Sequence, residues 1–307
     1  MMKKKAVLTL GIVLLLLTLS GCSKAGFVRG GTGDVNVDNF RTGNQGIEIE
    51  FMQNAPPPSL FQGDQLDVSV EYTNRGAYDV QGGYLYISGY DKQYVTFLND
   101  WAIIDAPGKD EFNPTGELSG TYTFSDDAVN IPFSVDRYSP DFIVTACYKY
   151  RTEAFADVCI DPDPYNVQPK IKTCSVSDVS LGTQGAPVAV TSVEETVSRN
   201  RVQFKVYISN VGGGEVIADE APIANCHSAL KTGDLDKIGI QAWFSDRTLV
   251  CQPDPVRLRG GNGFAVCYYE GNLGEEAYET VLKINLDYGY RTSDKTTTTV
   301  YRVPGNS

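Results

Sequence analysis

Two short motifs recur in this chain at almost one distance. Asn74-Arg75-Gly76 returns as Asn210-Val211-Gly212, 136 residues on, and Tyr148-Lys149-Tyr150-Arg151-Thr152 returns as Tyr288-Gly289-Tyr290-Arg291-Thr292, 140 residues on. Two separate matches at nearly the same spacing indicate two copies of one folding unit. The segments before the first motif alternate strictly. Leu66, Val68, Val70 and Tyr72 interleave with Asp67, Ser69, Glu71 and Thr73, and Val202, Phe204, Val206 and Ile208 with Gln203, Lys205, Tyr207 and Ser209. A period of two marks half-buried strands, and the Asn and Gly that follow supply turn chemistry. Phe142, Val144, Ala146, Tyr148 and Tyr150 form one inner face, with Leu282, Ile284, Leu286, Tyr288 and Tyr290 as its counterpart.

Short strands punctuated by Gly, Pro and Asn, with almost no helical period, predict an all-β chain. The expected arrangement is two tandem immunoglobulin-like β-sandwich domains, 47–163 and 170–303, after a signal segment and a flexible stalk. The join Asp161-Pro162-Asp163-Pro164 to Pro169 is stiffened by proline, which suits a semi-rigid rod. The run of strand, Asn-x-Gly turn and second strand, Val68 to Val80 and Phe204 to Val216, resembles CARDB-type immunoglobulin-like domains of bacterial and archaeal surface proteins. That resemblance implies adhesion, spacing or scaffolding.

The chain opens with Lys3, Lys4 and Lys5 and an apolar run of 14 residues, Ala6 to Leu19. At about 1.5 Å per residue the run is too short to cross a hydrocarbon core of roughly 30 Å, but it suits the apolar stretch of a secretory leader. Leu19-Ser20-Gly21-Cys22 resembles the lipobox of prokaryotic lipoproteins. The resemblance implies removal of residues 1–21 and a diacylglyceryl group on Cys22, so membrane lipid becomes a partner. Two acyl chains hold a protein on a bilayer where one would not. Residues 22–46, with Gly30-Gly31-Thr32-Gly33 and Gly43-Asn44-Gln45-Gly46, read as the flexible stalk. The expected location is outside the cytoplasm, tied to the cell membrane or envelope.

With Cys22 acylated, six of the seven cysteines remain, an even set that suits three disulfides in an exported chain. A hairpin turning at Thr152-Glu153-Ala154 would set Cys147 opposite Cys159 and allow them to bond. Cys251 and Cys267 flank a hairpin around Gly260-Gly261-Asn262-Gly263, which suggests a second pair. Cys174 with Cys226 follows by elimination, although the four cysteines beyond Cys159 allow three connectivities.

Loss of the three leader lysines takes the formal charge from −12 to −15, which argues against nucleic acid as a partner. His227 is the only histidine and there is no Cys-x-x-Cys, so neither a zinc cluster nor a histidine triad is expected. Adjacent acids such as Glu194-Glu195 point to opposite faces of a strand and read as solvated charge. The glycine clusters lack the Lys-Ser/Thr of a phosphate loop. Asp161-Pro162-Asp163 offers oxygens to calcium without the spacing of a calcium loop. The expectation is therefore a non-enzymatic protein with no cofactor and no metal. Tyr84 and Tyr86 are expected to face outward beside Tyr90, as an aromatic surface for a protein or glycan partner or as rings packed under a neighbouring loop. The resulting functional expectation is a lipid-anchored surface protein acting in adhesion, spacing or scaffolding, with an accessory carbohydrate-binding or hydrolase-associated envelope protein as the alternative.

Overall fold

The computed structural model describes residues 40–303, apart from 117, 133, 168–170 and 228–229. The leader 1–21, Cys22 and the stalk to residue 39 lie outside the described residues. The described fold is all-β. Its main strands are β1 (Ile47–Phe51), β2 (Leu66–Asn74), β3 (Val80–Ser88), β4 (Trp101–Ala106), β5 (Leu118–Asp126), β6 (Asp141–Ile160), β7 (Val188–Ser198), β8 (Arg201–Asn210), β9 (Glu215–Ile217), β10 (Lys237–Phe244), β11 (Asn262–Glu270) and β12 (Tyr278–Thr297).

Between Asp141 and Ile160 there is no Gly, Pro or Asn to turn the chain, and β6 runs through the expected hairpin at Thr152 as one strand of 20 residues. It pairs antiparallel along its whole length with the equally long β12. Tyr148 lies opposite Tyr290, Tyr150 opposite Tyr288, and Lys149 opposite its own repeat mate Gly289. The ladder's midpoint is thus an approximate twofold axis between the two copies. On either side the strands continue into one eight-stranded sheet, in the order Arg247–Thr248, β10, β12, β6, β3, β4, with β9 also paired to β12 and Val256–Arg257 to β10.

A three-stranded sheet β1-β2-β5 belongs to the first copy, and a five-stranded sheet containing β11-β8-β7 to the second. Apolar side chains of these sheets and of the eight-stranded sheet join in one core cluster that includes Val68, Phe124, Tyr148, Phe204, Phe244 and Tyr288. The halves expected at 47–163 and 170–303 therefore share a sheet and a core. The strand Thr299–Tyr301 returns to the first copy, parallel to Ser59–Phe61, while Gly43 near the chain's start donates its N–H to Thr183 Oγ1 in the second, at 2.9 Å. The last residues of the expected stalk are docked by such bonds.

The repeated motifs touch one another. Tyr150 donates its hydroxyl to Asn74 Oδ1 at 3.2 Å, and Tyr290 donates to Asn210 Oδ1 at 2.9 Å. Each asparagine side chain also receives the N–H of the glycine two residues on, Gly76 at 3.0 Å and Gly212 at 3.3 Å. Tyr148 accepts the N–H of Ile47 at 2.9 Å and Tyr288 that of Val188 at 3.3 Å, at the start of the corresponding strands β1 and β7. Burial holds the Tyr148 and Tyr288 hydroxyls well above the ordinary tyrosine range. Hydroxyls withdrawn from water cost free energy unless bonded, so each Tyr-x-Tyr requires its own Asn turn and the start of its own β1 or β7 strand.

Two of the expected disulfides are corrected. Cys147 bonds Cys226 and Cys159 bonds Cys174, while Cys251 bonds Cys267 across the β11 ladder. On an unbroken strand at about 3.3 Å per residue, Cys147 and Cys159 stand roughly 40 Å apart, several times the reach of a disulfide. Without the hairpin, each cysteine finds a partner from a segment crossing the strand.

Candidate functional site

The outer face of the eight-stranded sheet carries the side chains that alternate against the core. On β3, Leu85 and Ile87 point inward and are buried. Tyr84 and Tyr86 point the other way, beside Cys147, Lys149 and Arg151 of β6 and Asp287 and Arg291 of β12. Arg151 and Asp287 are directly opposed and form an ion pair at 2.6 Å, which holds the guanidinium pKa above its ordinary value. At the twofold-related position Cys147 stands opposite Arg291. Cysteine has replaced the carboxylate there, and Arg291 takes another partner.

That partner belongs to an insertion. β3 of the first copy corresponds to β9 and β10 together, and residues 218–236 between them have no counterpart. They include the short 3₁₀ turns Ile223–Asn225 and Thr232–Asp234. The insertion crosses the outer face and is tied to it by Cys147–Cys226. Its Ala224 carbonyl accepts the Tyr86 hydroxyl at 2.5 Å, and its Ala221 carbonyl accepts Lys149 Nζ at 3.1 Å. His227 stacks on Tyr86 with ring centroids 4.3 Å apart, and Tyr86 stacks on Tyr84 at 5.8 Å.

The three tyrosines therefore divide. Tyr86 is buried under the insertion, and its hydroxyl is pushed up to about 12, chiefly by burial. Tyr84 is half-buried, between Tyr86 and Trp101. Tyr90 lies apart, edge-on to Phe97 at 5.0 Å and against the core. On β4, Trp101 and Ile103 are also open, at 47% and 60% exposure. Their signal was strict alternation with buried Ala102 and Ile104.

His227 and the β8–β9 turn lie on opposite sides of an opening. This opening is a cleft of about 340 Å³ lined by Thr145, Gly213, Gly214, Glu215, His227, Arg291 and Ser293. Arg291 is clamped. Its Nε donates to Glu215 Oε2 at 2.6 Å, Nη2 reaches the same oxygen, and Nη1 donates to the Cys226 carbonyl at 2.6 Å. Thr145 and Ser293 bond to each other through their hydroxyls at 2.8 Å. The glycines answer to geometry. Gly213 has φ +78°, and a Cβ on Gly214 would collide with the Arg291 carbonyl and the Tyr290 ring. A smaller cleft of about 170 Å³ opens on the inner face, where Gln45 to Ile49 meet Thr292 to Asp294.

The oxygens of Asp161 and Asp163 are occupied by the chain's own cation: Lys172 Nζ reaches Asp161 Oδ2 at 2.5 Å and the Asp163 carbonyl. Among the described residues no group of three His, Cys, Asp or Glu side chains is placed to hold a metal ion, and no helix is long and apolar enough to cross a membrane. Glu195, read from sequence as solvated, points inward and is buried. Its Oε2 accepts the Cys159 N–H at 3.2 Å, Oε1 has no partner, and burial pushes the carboxyl up to about 7.

No family model matches this chain, and no curated protein matches it significantly. Among solved structures it is similar to the C-terminal globular domain of an oligosaccharyltransferase from Pyrococcus abyssi, at 9% identity and a TM-score of 0.26. The match covers 84% of this chain and 50% of that one, so the chain spans about half the length of that domain. A likeness at this level assigns neither activity nor ligand. The class defined by the fold is an all-β protein closed by three disulfides, which suit an oxidising, extracytoplasmic setting.

Proposed function

We propose that the chain is exported, acylated at Cys22, and held at the cell surface, where its paired immunoglobulin-like halves act in adhesion, spacing or scaffolding rather than catalysis. The observation that carries this reading is the leader ending in Leu19-Ser20-Gly21-Cys22, followed by cysteines paired in disulfides. Supporting it, the two halves share one sheet and one core. The partner in this reading is a surface protein or a glycan. The test is to feed producing cells an alkyne-tagged fatty acid and compare the wild-type chain with Cys22→Ser. Label and membrane retention in wild type, both lost in the variant, are expected. Membrane release of an unlabelled wild-type chain would refute the anchor.

A second reading, an accessory carbohydrate-binding envelope protein, is favoured by the polar cleft beside His227 and the aromatic row that leads to it.

A further inference from the structure

We propose that the cleft between the insertion and the β8–β9 turn is a binding site for a neutral, polyhydroxylated ligand, a sugar unit. The inference deepens the carbohydrate reading and rests on it. It starts from what the cleft offers. The fixed charges facing it, the Arg291 guanidinium and the Glu215 carboxylate, cancel, and Arg291 has its Nε and both Nη atoms engaged. An anion would find no free cation to pair with Glu215 standing beside Arg291, and a metal ion would find a single carboxylate. Nor is the lining apolar enough for a hydrocarbon ligand.

What remains is a set of hydrogen-bonding groups that both give and accept. Both protein bonds to Glu215 end on Oε2, which leaves Oε1 open as an acceptor. The Thr145–Ser293 hydroxyl pair spends one donor on its internal bond and keeps a second donor and spare lone pairs. His227 adds its ring nitrogens. Sugar hydroxyls, each donor and acceptor at once, match such a mixture.

The apolar face of a pyranose also needs a flat surface, and the imidazole of His227 supplies one. That ring is exposed, and it is held by stacking on buried Tyr86 at 4.3 Å, itself backed by Tyr84. The arrangement is pre-organised. The neighbouring Cys226 is tied to β6, and Arg291 grips both the Cys226 carbonyl and Glu215, so the cleft's walls do not have to be ordered by the ligand. Its volume of about 340 Å³ lies at the low end of small-molecule sites, roughly 300 to 1,000 Å³.

The test is saturation-transfer NMR on the chain beginning at Ser23, which retains the whole compact unit Asp38–Ser307. The probes are cellobiose, N,N′-diacetylchitobiose and maltose, with glucose 6-phosphate as the charged comparison. Transfer to at least one neutral disaccharide is expected, reduced at least tenfold in affinity by Glu215→Ala and by His227→Ala. Trp101→Ala, outside the cleft, should leave binding unchanged. Circular dichroism confirms that each variant folds. Three results would each overturn the assignment: no transfer to any neutral sugar, glucose 6-phosphate bound in preference, or full binding in folded Glu215→Ala and His227→Ala. Binding that survives these two variants but is lost in Trp101→Ala would keep a carbohydrate function and move its site to the exposed edge. The acyl label at Cys22 is read separately, so failure here leaves the surface-anchor reading intact.

Discussion

Replacing Glu195 by glutamine is expected to stabilise the protein in alkaline solution and to do little in acid. An ordinary glutamate titrates near 4.5, whereas burial pushes Glu195 up to about 7, with only the Cys159 N–H to favour the ionised form. The direction follows from linkage. Below pH 4.5 the carboxyl is protonated in both folded and unfolded chains and costs nothing. Between 4.5 and about 7 the unfolded chain ionises while the fold holds its proton, so stability falls as pH rises; above about 7 the loss levels off. At about 1.4 kcal/mol per pH unit the full loss would be about 3.5 kcal/mol, and solvent screening reduces the expected figure to about 2 kcal/mol. Glutamine is neutral at every pH, and its amide oxygen can keep the bond to Cys159. Urea unfolding with disulfides intact, at pH 5 and pH 8.5, should therefore show a gain of about 2 kcal/mol at the higher pH and under 1 kcal/mol at the lower. An equal effect at both values, or a loss at pH 8.5, would refute the assignment of Glu195 as a desolvated carboxyl.

Two further outcomes follow from contacts already described. Cys226→Ser should open a loop of 79 residues and lower stability by about 4 kcal/mol in the chain-entropy account. Tyr86, covered in the wild type, should then become reactive to tetranitromethane, as read by peptide mass. Asn74→Ala leaves the Tyr150 hydroxyl and the Gly76 N–H without their shared acceptor in a fully buried position. A loss of about 3 kcal/mol is expected by urea denaturation, against under 1 kcal/mol for a substitution at exposed Phe112.

The repeat was legible because its residues depend on each other. Asn74 and Tyr150, and Asn210 and Tyr290, are hydrogen-bond partners, so selection of one carries the other. Inner and outer faces were legible too, since alternation is a property of each strand alone. The hairpin at Thr152 was a misreading of a stretch whose lack of Gly, Pro and Asn already argued for continuity. Tyr86 and Cys147 were rightly placed on the outer face, but their cover comes from residues near 226, and no local pattern on β3 or β6 announces it. Glu195 shares the buried face with Val193 and Val197, past a register shift between Val190 and Ser192 that separates this face from the parity of Val188 and Val190. A bulge reverses which parity faces the core.

By itself, then, the amino-acid sequence determined an all-β chain, two related halves and the side of each strand that is apolar. Those follow from short-range chemistry: period and turn residues. The tertiary structure alone decided that the halves share a sheet across β6 and β12, which cysteines meet, and that an insertion in one copy roofs the tyrosines of the other and leaves a polar cleft. Backbone hydrogen bonding is the same for every residue type. Which strand edges meet is thus settled by burial summed over the whole chain, and local pattern carries little of that sum.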